Sequence, residues 1–216
     1  MRRRLIALNV PLALAASASV PVAAQAQSAA PQAGRDYVRL DRPAPVSAPA
    51  GTVEVIEFFW YGCPHCNAFE PTLSAWVKRL PKTVAFRRVP VAFQSSFEPQ
   101  QQLYYALEAM GLVDKLHARV FAAIHTEKQK LTTPEAIADW VVKQGVDASQ
   151  FNSYFKSFGV TNQALRARQL TTAYQVEGVP ALGVAGLYYT DGSMAKSMDR
   201  ALAVTEYLMA RSASKA

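Results

Sequence analysis

The sequence has almost no cysteine: Cys63 and Cys66 are the only two among 216 residues. An exported scaffold that depends on disulfides for stability uses more pairs, spread along the chain, so that class of protein is excluded. A bridge between positions as close as these closes too small a loop to restrict the unfolded chain strongly. The pair is therefore predicted to serve chemistry more than stability.

Blocks of like charge are also missing, and basic residues do not alternate with aromatic ones. The 23 Lys and Arg residues exceed the 16 Asp and Glu residues by a formal net charge of +7. Three of the arginines lie within the first four residues, and the remaining excess is spread along the chain. This pattern is typical of a solvated surface, and no nucleic-acid partner is expected.

Long apolar runs are absent except at the N-terminus, where residues 1–26 predict a cleaved export signal. A basic start (Met1–Arg4) is followed by an apolar stretch (Leu5–Ala16) and an A-x-A cleavage site (Ala24–Ala26). The apolar stretch is shorter than the roughly 20 residues that cross a bilayer. We therefore expect an exported, soluble, monomeric mature chain that begins at Gln27.

The two cysteines lie between a predicted strand and a predicted helix. The β-branched and aromatic run Thr52–Trp60 is typical of a strand covered on both faces. Pro64 suits the first turn of the helix that follows, and Thr83–Val91 predicts a second covered strand. Strand, helix and strand in this order indicate a βαβ unit with parallel strands.

The rest of the chain predicts an α/β protein with a helical insertion. Strand signals are nearly absent from Phe97 to Thr172, where the last helices are predicted at Ala148–Phe158, stopped by Gly159, and at Thr161–Tyr174. Outside this region we expect a first short strand, a hairpin and a closing helix, at Asp36–Leu40, Ala181–Thr190 and Met198–Ala210. Residues 27–93 and 173–216 are expected to form one domain, interrupted by a helical domain at 94–172.

The position of Cys63 at the start of a helix predicts an activated thiol. Free backbone N–H groups and the positive end of the helix dipole stabilise an anion there, and a protonated His65 would add to the effect. The pKa of the Cys63 thiol is therefore expected below its usual value of about 8.5. Stabilising the thiolate favours the reduced pair, so the disulfide form should be an oxidant.

Geometry predicts different roles for the two sulfurs. Cys63 is expected to be exposed and to form a mixed disulfide with a substrate thiol, whereas Cys66, one turn into the helix, should be buried. A metal site is the main alternative, but the motif offers two cysteine ligands where structural zinc usually takes four Cys or His. His117 and His125 are interpreted as ordinary helix residues. A non-catalytic copper(I)- or thiol-binding chaperone stays open as a different functional class.

The motif EFFWYGCPHCNAFEP, followed more than a hundred residues later by EGVPA, resembles the DsbA family of periplasmic thiol–disulfide oxidoreductases. The resemblance implies a thioredoxin-like fold, oxidation of reduced exported proteins in the periplasm, and no cofactor or metal. It also implies reoxidation by an inner-membrane, quinone-linked partner of the DsbB type. A reductase or isomerase of the same fold is the closest alternative. Only about 25 residues separate Gln27 from Thr52, too few for an isomerase's dimerisation domain.

The resemblance also implies roles for residues outside the cysteine motif. Pro180 should be cis and pack against the disulfide, while the backbone of Val179 pairs with an extended substrate. Glu57 should be a buried acid near Cys66 that transfers protons. Well-known family members pair this acid with a lysine, whereas this chain has Arg88, which cannot release its proton. Glu57 is therefore alternatively a salt-bridged acid that Arg88 holds ionised.

Aromatic residues beside the motif are candidates for substrate contacts. Trp60, Tyr61 and Phe93 each fit a core position, but Trp60 and Tyr61 adjoin Cys63, so at least one of these two is expected on an apolar rim that receives unfolded substrates. The predicted site thus has a catalytic and a substrate-binding set. The catalytic set is Glu57, Cys63, Pro64, His65 and Cys66, and the substrate-binding set is Trp60, Tyr61, Val179 and Pro180.

Overall fold

The structure, a computed structural model, describes residues 30–213, so the predicted export signal at 1–26 lies outside the described residues. Within them the chain is α/β, as predicted. The strands are β1 Val38–Arg39, β2 Val53–Phe59, β3 Val84–Pro90, β4 Ala181–Val184 and β5 Tyr188–Asp191. The helices are α1 Pro64–Val77, α2 Glu98–Ala109, α3 Val113–His125, α4 Pro134–Lys143, α5 Ala148–Phe155, α6 Phe158–Ala173, α7 Gly192–Ala195 and α8 Met198–Ala213.

One five-stranded sheet, in the order β1-β5-β4-β2-β3, joins the two ends of the chain. β2 and β3 run parallel, which confirms the predicted βαβ unit, and Glu57 lies opposite Arg88 in their register. β4 runs antiparallel to β2, with Ala181 opposite Phe58. This register brings the residues just before β4 next to the residues just after β2, although more than a hundred residues separate them in sequence.

The central strand β2 is buried along its whole length, as its apolar sequence predicts. Val55 packs in a cluster with α1 and α8, while Phe58 packs in the cluster that includes the helices α2 to α6. β3 was expected to be covered in the same way, and that expectation is wrong. Most of β3 is only half-buried, because it lies at the sheet edge and pairs with β2 alone.

Five helices, α2 to α6, separate β3 from β4, as the absence of strand signals predicts. The predicted stop at Gly159 is wrong, because α6 already begins at Phe158. The Ser157 hydroxyl accepts a hydrogen bond from the Val160 N–H at 3.2 Å and caps the helix. A good N-cap satisfies a backbone donor that would otherwise be unpaired, which outweighs the weak helix propensity of one glycine in the first turn.

The predicted hairpin between β4 and β5 is confirmed. Ala185 and Gly186 both have positive φ, at 54° and 67°, and the Leu187 N–H donates to the Val184 carbonyl at 2.9 Å. Two positive φ angles in a two-residue connection match the twist of antiparallel strands. α7 was not predicted. It begins because the Asp191 carboxylate accepts a hydrogen bond from the Met194 N–H at 2.8 Å.

From Pro31 onward the chain forms one compact unit. Among residues 30–213, no helix has both the length and the apolar character that a bilayer crossing requires. The division into a domain of residues 27–93 and 173–216 and an inserted domain of residues 94–172 stays a prediction.

Gly183 of β4 gives a direct test of the core packing. A Cβ atom at this position would lie 2.5 Å from Cε1 of the buried Tyr174 ring, whose hydroxyl is fixed by the Gly186 N–H at 3.0 Å. We expect Gly183→Ala to lower the free energy of unfolding by about 1–3 kcal/mol, measured by urea denaturation.

Gly159→Ala is the matched control for that variant. The nearest atom to an added Cβ there is the Ser157 hydroxyl at 3.7 Å, and alanine favours a helix over glycine by roughly 1 kcal/mol. Gly159→Ala should therefore be neutral or stabilising. Equal stability of the two variants would contradict the packing described for Tyr174.

Candidate active site

Cys63 lies at the junction that the sequence predicts, as the N-cap of α1 with Pro64 in the first turn. The Cys63 N–H donates to the Trp60 carbonyl at 3.0 Å and closes a tight turn between β2 and the helix. Proline fits the first turn because no intrahelical partner is needed for an N–H there. The turn places Cys63 at the helix start, where the backbone N–H groups of His65 and Cys66 act on its thiol.

Cys63 and Cys66 are not joined by a disulfide in this structure. Cys66 is fully buried, as expected, but Cys63 is only 7% exposed, so the expectation of an exposed attacking sulfur is wrong. The Cys63 Sγ atom faces the Val179 carbonyl oxygen at 3.3 Å, and the loop that carries this carbonyl covers it. Cys63 is still the more accessible of the two sulfurs.

The two thiols differ strongly in acidity. The hydrogen bond from the Cys66 thiol, followed by the backbone N–H groups of Cys66 and His65 and the charge of His65, lowers the pKa of Cys63 to about 6, although burial opposes this shift. Burial, together with the interaction with Cys63, raises the pKa of Cys66 far above its usual range. Cys63 is thus the thiolate at neutral pH, and Cys66 keeps its proton.

The loop before β4 completes the site from the other side. The Val179–Pro180 peptide bond is cis, as the resemblance implied. Both residues line a cavity of about 260 Å³, together with the exposed His65 and with Met198. The cavity lies next to the cysteines and offers a path by which a substrate chain could reach Cys63. A larger cavity of about 500 Å³ is lined by residues of α2, α5 and α6 and by none of the predicted site residues.

A buried cluster of charged side chains surrounds Glu57 on β2. Arg88 Nε lies 3.0 Å from Glu57 Oε2, and Arg88 Nη2 lies 2.9 Å from Glu70 Oε1 on α1. His117 Nε2 on α3 lies 3.3 Å from Glu70 Oε2. Glu57 is 1% exposed and the Arg88 side chain 14%, so these charges interact with little screening by water. One guanidinium therefore serves two carboxyl groups.

The two carboxyl groups beside Arg88 have pKa values that are shifted in opposite directions. Burial, aided by the charge of Glu70, raises the pKa of Glu57 to about 8 despite the opposing charge of Arg88. Burial also acts on Glu70, but His117 and Arg88 together hold the pKa of Glu70 below its usual value. At neutral pH the ion pair is thus Arg88 with Glu70, and Glu57 carries a proton. The alternative in which Arg88 holds Glu57 ionised is not favoured by this balance.

The aromatic residues beside the motif fall in different places. Tyr61 is 1% exposed and packs against Phe59 and Phe121, so it does not lie on the surface where an apolar rim was expected. Trp60 is half-buried and its ring stacks on Phe97 with 3.7 Å between ring centroids. Phe93 is 45% exposed. Of the three predicted candidates, only Trp60 and Phe93 present surface to a substrate.

Three residues of this region were not predicted from the sequence to belong to the site. Glu70 lies one helical turn after Cys66, so the spacing alone could have placed it on the same face of α1. His117 and His125 are eight residues apart, which also puts them on one face of a helix, and both contact Tyr61. In the part of the chain that the structure describes, no three His, Cys, Asp or Glu side chains lie together in a group that could hold a metal ion.

Comparisons with known proteins agree with this geometry. Residues 76–203 match the family model of the DSBA-like thioredoxin domain. The thiol:disulfide interchange protein DsbA of Burkholderia cepacia is 44% identical over 209 residues, covering 97% of this chain and 96% of that protein. The protein of the same name from Pseudomonas aeruginosa is 45% identical over 177 residues, covering 82% of this chain and 83% of that protein.

Solved structures agree in fold as well. The crystal structure of Pseudomonas aeruginosa DsbA matches with a TM-score of 0.81 and 44% identity, covering 86% of this chain and 97% of that one. The oxidoreductase DsbA from Xylella fastidiosa matches with a TM-score of 0.79 and 31% identity, covering 84% and 97% of the two chains. The thioredoxin-like fold with helices inserted between β3 and β4 is therefore confirmed.

Substituting the two carboxyl groups separately tests the charge assignment. Glu57 has a folded-state pKa of about 8 against an ordinary 4.5, so it contributes stability at low pH that is lost as the pH rises towards 8. Glu57→Gln, which mimics the protonated acid, should therefore be more stable than the natural protein at pH 7. The difference should disappear below about pH 4.5. Urea denaturation across this pH range measures it.

Glu70→Gln is the matched control, because it changes the other carboxyl group on the same arginine. Removing Glu70 takes away the ionised partner of Arg88, and Glu57 can replace that charge only by giving up its own proton, so we expect a loss of up to about 3 kcal/mol at pH 7. If both variants lose stability at pH 7 by similar amounts, the assignment of the proton to Glu57 is wrong.

Proposed function

The chain belongs to the DsbA family of thioredoxin-like thiol:disulfide interchange proteins, and we propose that it works as the oxidant of other proteins through the Cys63–Cys66 disulfide. It is a protein thiol:disulfide oxidoreductase. The observation that supports the direction of the reaction most strongly is the difference in acidity between the two thiols. A pair whose attacking sulfur is stable as a thiolate gives up its disulfide readily.

In the first step, a thiolate of the reduced substrate attacks Cys63 Sγ. The bond between Cys63 and Cys66 breaks as the mixed disulfide between Cys63 and the substrate forms, and Cys66 leaves as a thiolate. Burial makes that thiolate unstable, so Cys66 takes up a proton. The proposed donor is the Glu57 carboxyl group, which is protonated at neutral pH and lies close enough to act on the charge of Cys66.

In the second step, a second thiolate of the substrate attacks the substrate sulfur of the mixed disulfide. A disulfide forms within the substrate, and Cys63 leaves as a thiolate. The substrate has lost two electrons, which the cysteine pair has gained, and two protons, which pass to water as its thiols ionise. One proton is returned from water through Glu57 to Cys66, so the net release is one proton. The low pKa of Cys63 makes it a good leaving group in this step.

Arg88 has an electrostatic role in this proposal. A guanidinium keeps its proton in a protein, so Arg88 cannot pass a proton from solvent to Glu57. It instead pairs with Glu70 and lowers the cost of ionising Glu57 after the proton has moved to Cys66. Glu57 then recovers its proton from water that enters when the substrate leaves.

Substrate recognition is proposed to combine backbone pairing with apolar contacts. The Val179 carbonyl lies beside Cys63, where the backbone of an extended substrate chain could pair with the loop before β4. Trp60 and Phe93 follow the parallel strands β2 and β3 and provide apolar surface near the same end of the sheet, which suits the exposed side chains of an unfolded protein. His65 and Pro180 line the cavity beside the Val179 loop.

The proposed cellular setting rests on the export signal in the sequence. The export signal predicted at residues 1–26 supports a periplasmic location, where newly exported proteins still carry free thiols. The electrons received from them would pass to an inner-membrane, quinone-linked partner of the DsbB type.

The proposed inserted domain of residues 94–172 covers the active-site end of β2 and contributes His117 and His125. No cofactor is needed for the exchange itself.

The proposal is tested by mixing the oxidised protein with a reduced peptide that contains two cysteines. We expect one disulfide to form in the peptide for each protein molecule that is reduced. Alkylation of the free thiols and mass spectrometry of the products measure both quantities. Cys63→Ser should abolish the reaction. The reduced Cys66→Ser variant should still be alkylated rapidly at Cys63 at pH 7, whereas reduced Cys63→Ser should react slowly at Cys66.

Two outcomes would contradict this function. A protein that stays oxidised in a glutathione buffer containing both redox forms would instead be a reductase. Stoichiometric copper(I) binding with no peptide oxidation would indicate a metallochaperone.

A further inference from the structure

The turn that leads to Cys63 can adopt two backbone orientations. Trp60 and Cys63 are its ends, closed by the 3.0 Å hydrogen bond between the Trp60 carbonyl and the Cys63 N–H, and the Tyr61–Gly62 peptide is its centre. In a four-residue turn the central peptide can point either way, and a glycine at the third position permits both. Gly62 does not have a positive φ here, so only one of the two orientations is present.

Packing explains why this position is a glycine. A Cβ atom at Gly62 would lie 2.3 Å from Cζ2 of the Trp60 ring. The ring is held over Gly62 by its stack on Phe97. The glycine is therefore needed to make room for the Trp60 ring. Because glycine allows both orientations of the central peptide, the turn itself does not fix the position of Cys63.

His125, in the last turn of α3, supplies that missing constraint. Its Nε2 atom lies 2.8 Å from the Tyr61 carbonyl oxygen, which is the carbonyl of the central peptide. A carbonyl oxygen only accepts hydrogen bonds, so Nε2 carries a proton and donates it. Turning the central peptide over would move this carbonyl away from His125 and lose the bond.

His117 holds the side chain of the same residue. Its Nδ1 atom lies 2.9 Å from the Tyr61 hydroxyl, and its Nε2 atom faces Glu70 Oε2 at 3.3 Å. The hydroxyl donates to Nδ1, which leaves the ring proton on Nε2, close to the ionised Glu70 but without a well-aligned hydrogen bond to it. His117 thereby connects Tyr61 to the charged cluster around Arg88 and Glu57.

From these contacts we propose that His117 and His125 are positioning residues for the exchange reaction, and we call them the histidine clamp. The clamp fixes Tyr61 at its backbone and at its hydroxyl, and so holds the turn that places Cys63 over the N–H groups of His65 and Cys66. The inference rests on the proposed function of Cys63 as the attacking sulfur. Neither histidine is assigned any contact with a substrate.

The expected effect follows from the strength of one hydrogen bond. Releasing the Tyr61 carbonyl should let the turn populate its other orientation, in which Cys63 loses part of its contact with the helix N-terminus. An ordinary hydrogen bond in a protein shifts an equilibrium by about fivefold. We therefore expect a loss of about fivefold in the stability of the thiolate, and the same factor in the glutathione exchange equilibrium.

The experiment compares His125→Leu, which removes the donor, with His125→Gln, whose amide N–H has a similar reach. Two quantities are measured in each: the pH titration of the Cys63 thiolate by ultraviolet absorbance, and the equilibrium constant with glutathione. His125→Leu should raise the pKa of Cys63 and make the disulfide less oxidising, and His125→Gln should restore most of both. Ile137→Ala, which removes a buried side chain of α4, is the control for a general loss of stability.

Tyr61→Phe tests the contact of Tyr61 with His117. It also replaces His125→Leu as the test of the proposal if that variant does not fold. It removes only the hydroxyl, so the core packing of the ring is kept, and it should shift both quantities in the same direction. The clamp is wrong if the Leu and Gln variants shift equally, if neither shifts, or if Ile137→Ala shifts both quantities as much. Failure of the natural protein to exchange with glutathione would instead overturn the proposed function itself.

Discussion

The stabilisation of a negative charge on Cys63 is the interaction on which the rest of the site depends. The charge is held by the Cys66 thiol and by backbone N–H groups at the start of α1, while partial burial works against it. These donors come into place only because β2 ends in a tight turn directly before the helix. The antiparallel pairing of β4 with β2 then brings Val179 and its cis peptide bond to the same sulfur. The sheet thus brings Cys63 and Val179 together, although more than a hundred residues separate them in the chain.

Behind the cysteines, Arg88 interacts with both Glu57 and Glu70, and this arrangement decides which of the two carboxyl groups is protonated. If both carboxyl groups were ionised, one guanidinium would face two buried negative charges, so the arrangement is balanced when one acid stays protonated. His117 supports Glu70, which leaves the proton on Glu57. The fully buried Cys66 thus has a neutral acid as its neighbour instead of a second negative charge. Arg88 can thus lie beside Glu57 without ionising it, which keeps the proton that the proposed transfer to Cys66 requires.

Much of this could be predicted from the sequence, because the signals were local. The apolar run of β2, Pro64 at the helix start and the Ala185–Gly186 turn each specify nearby backbone geometry. What could not be predicted depends on contacts between distant segments. Tyr61 looked like a surface aromatic because it adjoins Cys63, but α3 packs over it, and nothing near Tyr61 in the sequence shows that. The burial of Cys63 and the edge position of β3 likewise follow from how the strands pair. The roles of His117 and His125 needed the position of α3.

The central claim, that the folded protein stabilises the thiolate more than the disulfide, is tested most directly by comparing the thermal unfolding of the reduced and oxidised forms across pH. The folded-state pKa of Cys63, about 6 against an ordinary 9.0, means that its contribution is present at high pH and is lost as the pH falls through 6. The reduced form should therefore unfold at a higher temperature than the oxidised form at pH 8, and this advantage should shrink as the pH falls towards 6 and be almost gone below it. An oxidised form that is the more stable one at every pH would contradict the account.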